Sequence, residues 1–355
     1  MFLALNEIKH AKLRFGLILG LLFLIAYLLF FLTGLAFGLM QENRSAVDKW
    51  PADTILLNKE ANDLLSASNI SPEIAEKVSG DKLASLSQMA SSAWTASQPK
   101  DDDKEKVSLF GIKTSEFLMP NITEGRLFKS DEEVVIDQSL AQNKQFQIGD
   151  RVHFSGVDGT LTIVGYTDSA TFSIAPVVYM TQNAFNRIRF GNTNKENPIN
   201  AILVKGKVSH YPDELKALTI ADFIEKLPGY KAQNLTFAFM IGFLIVIASV
   251  VIGIFMYVLT IQKAPIFGVM KVQGISTAYI GRSVLSQTFL LSLAGTALGL
   301  AGTWLTSLVI PVAVPFQINW LFYASIGLAL IVFALLGTLF SVRSVSKIDP
   351  LTAIS

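Results

Sequence analysis

The sequence has no cysteine among its 355 residues, which excludes disulfides, thiolate metal sites and a cysteine nucleophile. Its three histidines, His10, His153 and His210, are too far apart to show ligand spacing. There is no G-x-x-x-x-G-K-[ST], so the chain has no Walker loop for ATP, and neither H-E-x-x-H nor G-x-S-x-G occurs. Asp101–Asp103 lacks the spaced ligands of a calcium loop. Charge is scarce as well: 16% of residues are Asp, Glu, Lys or Arg, against about 25% in soluble proteins. A net charge of +1 leaves no basic excess for nucleic acid. These absences argue against an enzyme and against a nucleic-acid binder, and no intrinsic cofactor is expected.

The missing charge is concentrated in long apolar runs. Between Arg14 and Glu42, and again between Arg282 and Arg343, there is no Asp, Glu, Lys, Arg or His. About 20 apolar residues in a helix cross a bilayer core about 30 Å thick. Four transmembrane helices are expected, at 15–41, 235–261, 283–310 and 320–342. Pro311 and Pro315, with Gln317 and Asn319, break the last two apart and make 311–319 a loop. The first span is too long for a signal-peptide core and no A-x-A site follows it, so it is expected to be retained. Lys9, Lys12 and Arg14, then Lys263, Lys271 and Arg282, then Arg343 and Lys347 flank the spans. All lie on one side only if both termini are cytoplasmic, which puts 42–234 outside. Residues 1–14 suit an amphipathic helix in the inner interface, or simply the start of the first span; 343–355 form a cytoplasmic tail.

The fold class expected is therefore α-helical transmembrane with an α+β extracellular domain inserted between helices one and two. Within that domain 74–89 reads as helical, and 99–106 as a solvated charged loop. Glu133–Asp137 opens a strand-to-helix unit, 149–165 reads as a hairpin about Asp158-Gly159, and Ala175–Met180 as a strand. Residues 211–226 read as a helix. Gly34 and Gly38, and Gly295, Gly299 and Gly302, form small-residue faces suited either to packing within the chain or to a dimer interface.

The most informative segment is 262–282. Pro265 fits the first turn of a short helix and Gly274 its stop. Ile266, Val269, Met270 and Val272 offer an apolar surface beside Lys263 and Lys271, either for docking in a partner's cleft or as a plain connecting loop. Phe267-Gly-Val-Met-Lys-Val-Gln-Gly274 resembles the coupling helix of the FtsX/MacB-type ABC-transporter permeases. Lys347-Ile-Asp-Pro-Leu-Thr-Ala-Ile354 resembles their terminal signature, with Thr352 where Glu is usual. Val134–Ala141, Ile148-Gly-Asp150 and Ile163-Val-Gly165 resemble their outer core. The likeness runs through nearly the whole chain and is strongest to the family's heme-efflux permeases of Gram-positive bacteria, through Gly34–Asn43, Tyr257–Lys263 and Val312–Phe316. It implies a homodimer in the plasma membrane that exports heme, with a separate cytoplasmic ATPase subunit. Pro265, Phe267, Gly268, Met270, Lys271 and Gly274 would couple to that ATPase.

A heme exporter needs a ring-sized apolar slot, polar groups for the propionates and, optionally, an axial ligand such as Tyr or Met. Phe37, Met40, Glu42, Asn43 and Arg44 at the end of the first span offer these types close together. Glu42 is either a cargo-facing carboxylate or the partner of Arg44. Tyr230, before the second span, is either an iron ligand or part of an aromatic belt. Phe172 either lines the mouth or sits in the core. Two other readings remain open: export of another amphiphile (a peptide, glycolipid or antibiotic), and an FtsX-like regulator of a cell-wall hydrolase that transports nothing.

Overall fold

The computed structural model describes residues 12–95, 104–144, 146–156, 159–191, 197–311 and 314–346. The expected features in 1–11, in most of 99–106, at Asp158 and in 347–355 lie outside them. In chain order the elements are α1 (Lys12–Asp48), β1 (Thr54–Asn58), α2 (Pro72–Ala75), β2 (Ser79–Thr95), β3 (Glu105–Ile112), β4 (Glu124–Gly125) and β5 (Glu133–Asp137). There follow α3 (Gln138–Lys144), β6 (Arg151–Phe154), β7 (Leu161–Thr167), β8 (Thr171–Phe172), β9 (Ala175–Thr181), α4 (Gln182–Phe190) and β10 (Ala201–His210). Last come β11 (Leu215–Thr219), α5 (Ile220–Glu225), α6 (Tyr230–Gln262), α7 (Ala264–Val272), α8 (Thr277–Ser307) and α9 (Trp320–Ser346). The chain divides into a helical unit, 1–38 with 235–355, and an inserted unit, 39–234.

In the helical unit, α1, α6, α8 and α9 are long and apolar enough to cross a membrane. Their ends differ from the apolar runs. Helix α1 continues past 41 to Asp48, and α6 begins at Tyr230 rather than 235. Helix α8 spans Thr277–Ser307 rather than 283–310, α9 runs to Ser346 rather than 342, and the helical part of 262–282 is α7 alone. Capping explains the start of α8: the Ser276 hydroxyl accepts from the Tyr279 N–H.

The small-residue faces are used within the chain. A Cβ on Gly299 would lie 2.6 Å from Ala26 Cβ and 2.8 Å from the Tyr27 amide nitrogen, and one on Gly295 2.6 Å from Leu22 Cβ. Helices α1 and α8 therefore approach at backbone distance. Thr303 Oγ1 reaches the Tyr27 carbonyl at 3.4 Å, and Tyr27 and Thr306 share a 3.0 Å hydroxyl contact. Gly34 and Gly38 leave room for Phe316, Tyr323 and the Pro315 backbone, while Tyr323 donates to the Phe30 carbonyl at 2.9 Å. Gly299→Leu is expected to destabilise the helical unit by about 3 kcal/mol, since overpacking at a backbone contact has no flexible neighbour to yield. Thermal unfolding of the purified protein should show a lowered midpoint; an unchanged midpoint would refute close α1–α8 packing.

The inserted unit is built on a sheet ordered β11-β1-β10-β2-β3-β9-β5-β7-β4, with β6 bonded to both β2 and β7. Strands β2, β3, β9, β5, β7 and β6 thereby close into a ring. One face of these strands packs a core of Val107, Leu109, Ile136, Phe146, Phe154 and Met180. The other face, with Leu86, Phe110 and Tyr179, is covered by Ala46, Val47 and Trp50 from α1 and its end, and by Phe223 of α5.

Strand-to-helix β5–α3, the hairpin β6–β7 and strand β9 fall where the sequence places them. Three expectations are corrected. Residues 74–89 are not a helix: after the short α2 they enter β2. Residues 211–226 are a strand followed by a short helix, because β11 pairs with β1 from Thr54↔Thr219 to Asn58↔Leu215. Lys104–Lys106 do not belong to a loop throughout, since Glu105 and Lys106 open β3.

Candidate functional site

The end of α1 and the first turn of α6 bring most of the expected cargo residues together in the inserted unit. Arg44 Nη1 donates to the Tyr230 hydroxyl at 3.0 Å, and its guanidinium carbon lies 5.9 Å from the ring centroid. Arg44 also pairs with Asp48, one turn on, through Nε at 2.8 Å. The pairing considered between Glu42 and Arg44 is thus replaced by Arg44–Asp48. No hydrogen bond or ion pair reaches the Glu42 carboxylate among the described residues, and Glu42 is half-buried. Asn43 is buried and donates to Gln233 Oε1 at 2.7 Å. Beside Gln233, the Asn234 Oδ1 is buried without a hydrogen-bond partner among the described residues.

A tight loop clamps this rim. Ser173 N–H donates to the Asn43 carbonyl and Ile174 N–H to the Glu42 carbonyl, each at 3.1 Å. Thr171 N–H donates to Ser45 Oγ at 2.9 Å, and the two hydroxyls lie 2.6 Å apart. Phe172, within this loop, is 6% exposed and edge-on to Phe110 at 5.5 Å, so it serves the core. Met40 packs against the same core instead of offering its thioether freely. Phe37 is half-buried on α1 in the helical unit. Tyr230 is only 4% exposed, so a ligand reaches its oxygen only after Arg44 moves or the ring turns. Asp48, Gln233 and Asn234 were not singled out from sequence. The i,i+4 spacing of Arg44 and Asp48 was a usable signal; the Asn43–Gln233 contact had none.

The coupling segment takes the form its punctuation suggests. Pro265 sits in the first turn of α7, which follows α6 after the single residue Lys263. At its other end Gly274 has φ +84°, Ile275 N–H donates to the Met270 carbonyl and Gly274 N–H to the Lys271 carbonyl, both at 3.0 Å. This is a Schellman stop, and Ile275 and Met270 supply its apolar contact. Phe267 is buried against Ile280 and Val284, with Met270 partly buried beside it. Phe267, Gly268 and Met270 therefore face inward and anchor the helix, while Ile266, Val269 and Val272 are exposed. Lys263 is buried and donates to Gln287 Oε1 at 3.0 Å, with Phe15 beneath it at 5.4 Å.

Residues 15–217 match the MacB-like periplasmic core domain and residues 238–350 the FtsX-like permease C-terminal domain. The chain belongs to the FtsX/MacB permease family. It is a multi-pass membrane protein and a permease of the ABC-transporter type. Similar to this permease are proteins named hemin transport system permease protein HrtB. The one from Staphylococcus haemolyticus is 27% identical over 100% of this chain and 99% of its own. The one from Staphylococcus epidermidis strain ATCC 12228 is 28% identical with the same coverage. An ABC transporter permease of Mycobacterium tuberculosis H37Rv is 22% identical, covering 99% of both chains. Among solved structures, the extracellular domain of the Gram-positive transporter YknZ aligns with 47% of this chain and 100% of its own, at 13% identity and a TM-score of 0.33.

Proposed function

We propose that this permease exports heme, drawing it from the membrane and releasing it on the outer side. The observation that carries the reading is the end-to-end similarity to the HrtB proteins, 27–28% identical across the entire chain. The rim chemistry supports it: a phenol, an arginine, an unpaired carboxylate and amides lie together at the ends of two apolar helices. These groups suit a flat apolar ring edged with carboxylates and, for iron, an oxygen ligand. The chain supplies the path, and the energy comes from a separate ATPase subunit that docks on the exposed side of α7.

In this reading both termini are cytoplasmic, the inserted domain lies outside and two copies pair in the plasma membrane. Burial of Lys263 removes one charge from the orientation argument, but Lys271 and Arg282 remain on that side. ATP-driven movement of α7 passes through its Schellman stop into α8 and through the one-residue joint into α6. Deleting the gene is expected to make cells at least tenfold more sensitive to hemin, and restoring it to cure them. Unchanged sensitivity removes heme as cargo and leaves the other two readings, export of another amphiphile and regulation of a cell-wall hydrolase without transport.

A further inference from the structure

One face of β2 changes character along its length. Ala84 and Leu86 belong to the core covered by α1 and α5, but the same pleat continues as Gln88, Ala90, Ser92 and Trp94. Across the ladder, Ser108 and Lys106 of β3 stand opposite Ala90 and Ser92. Ser155, after β6, bonds the Ser92 carbonyl through its N–H at 2.9 Å. Phe172, Ser173 and Ala175 close one end, and together these residues, Trp94 excepted, bound an open cleft of about 540 Å³. Small-molecule sites span about 300–1,000 Å³.

Three observations say what the cleft would take. Its lining is mostly alanine and serine, so a flat face can lie against the strands. Lys106 is exposed and, among the described residues, no acidic side chain lines the cleft, so it favours an anion. Gln88 is 5% exposed yet incompletely satisfied: its Nε2 lies 3.0 Å from Ser108 Oγ, and its Oε1 has no partner among the described residues. A serine hydroxyl can donate or accept, so the amide can turn and leave its NH₂ for a ligand carboxylate.

The cleft shares a wall with the rim. The loop whose N–H groups hold the Glu42 and Asn43 carbonyls also carries Phe172 and Ser173 on the cleft side. Its backbone is strained, with Ser173 at φ +51° and Ile174 at φ +69°, a conformation unfavourable for a β-branched residue.

We propose that this cleft is a release-side subsite for a planar amphiphile bearing carboxylates, held by Lys106 and the Gln88 amide with its ring against the Ala90–Ser92 strand. The proposal rests on the heme-export reading for the identity of the cargo. Trp94, stacked on His153 at 5.5 Å at the outer end of the same face, provides a reporter.

The test uses the full-length protein in lipid nanodiscs, titrated with metal-free protoporphyrin IX against empty nanodiscs. Without iron, ligation by Tyr230 cannot contribute. Saturable quenching of tryptophan emission is expected, and Trp94→Phe should remove most of it. Ser92→Trp, which fills the cleft, and Lys106→Glu, an exposed charge reversal, should each weaken binding at least tenfold. Wild-type affinity in Lys106→Glu together with either wild-type affinity or misfolding in Ser92→Trp overturns the proposal. If hemin sensitivity does not depend on the gene but the porphyrin titration behaves as expected, the cargo reading fails and the cleft stands. If export holds and the variants bind normally, the cleft alone fails.

Discussion

Val269→Asp combined with Val272→Asp is expected to reduce ATP-driven export to background while leaving the permease folded. Both side chains are exposed on α7, Val272 at 67%, and neither belongs to the core that holds the helix. Burying an apolar side chain in a partner's cleft contributes roughly 1.5–3 kcal/mol. Two carboxylates in the same place add a desolvation penalty of several kcal/mol. The pair should therefore weaken docking of the ATPase by well over a hundredfold. Copurification of the ATPase and hemin-stimulated ATP hydrolysis are the measurements. Retained copurification and export would place the docking surface elsewhere. Phe267→Ala is the informative contrast, since it should lower thermal stability by about 3–5 kcal/mol through a cavity, a loss of folding rather than of docking.

The second large effect is expected at the rim. Glu42→Gln with Tyr230→Phe keeps the shapes and removes the charge and the phenolic oxygen. Purified protein loaded with hemin should lose or shift its Soret band, and cells should become at least tenfold more sensitive to hemin. An unchanged spectrum together with unchanged resistance removes both residues from the cargo path. Tyr230→Phe also frees Arg44 from a 3.0 Å bond, but the Asp48 pairing remains to hold the guanidinium. For that reason the variant tests ligation rather than local folding.

The spans were legible because 15–41 and 283–342 leave the backbone no choice in a bilayer but helix, and Pro311 and Pro315 mark the break. Their ends were not. Helix α1 outruns its apolar stretch because Ala46 and Val47 find a second core in the inserted unit and Arg44–Asp48 bridges the last turn. Strand β2 is hard to read because both of its faces are buried over 84–88 while one of them is lined by serines. Ser85 is bonded to Glu116 and Ser87 to Gln182, so burial does not follow hydrophobicity and the two-residue alternation is masked. Strand β11 is held by β1, a partner remote in sequence, and no local signal carries that. On α7, Pro265 and Gly274 were readable as start and stop. Which residues faced out was not: Phe267 and Met270 turn inward because Ile280 and Val284 of α8 receive them.

The strand β6 that bonds both β2 and β7 has a mechanical consequence. In an open sheet an edge strand can slip or peel by breaking one ladder. In a ring of six strands, displacing any member breaks two ladders and shifts every register around the circle. Such a body does not deform by degrees. A push delivered to the inserted domain is therefore spent on its loops and on its motion as a whole, and the strained turn at Ser173–Ile174, outside the ring's ladders, ties that body to the end of α1 through its two N–H groups.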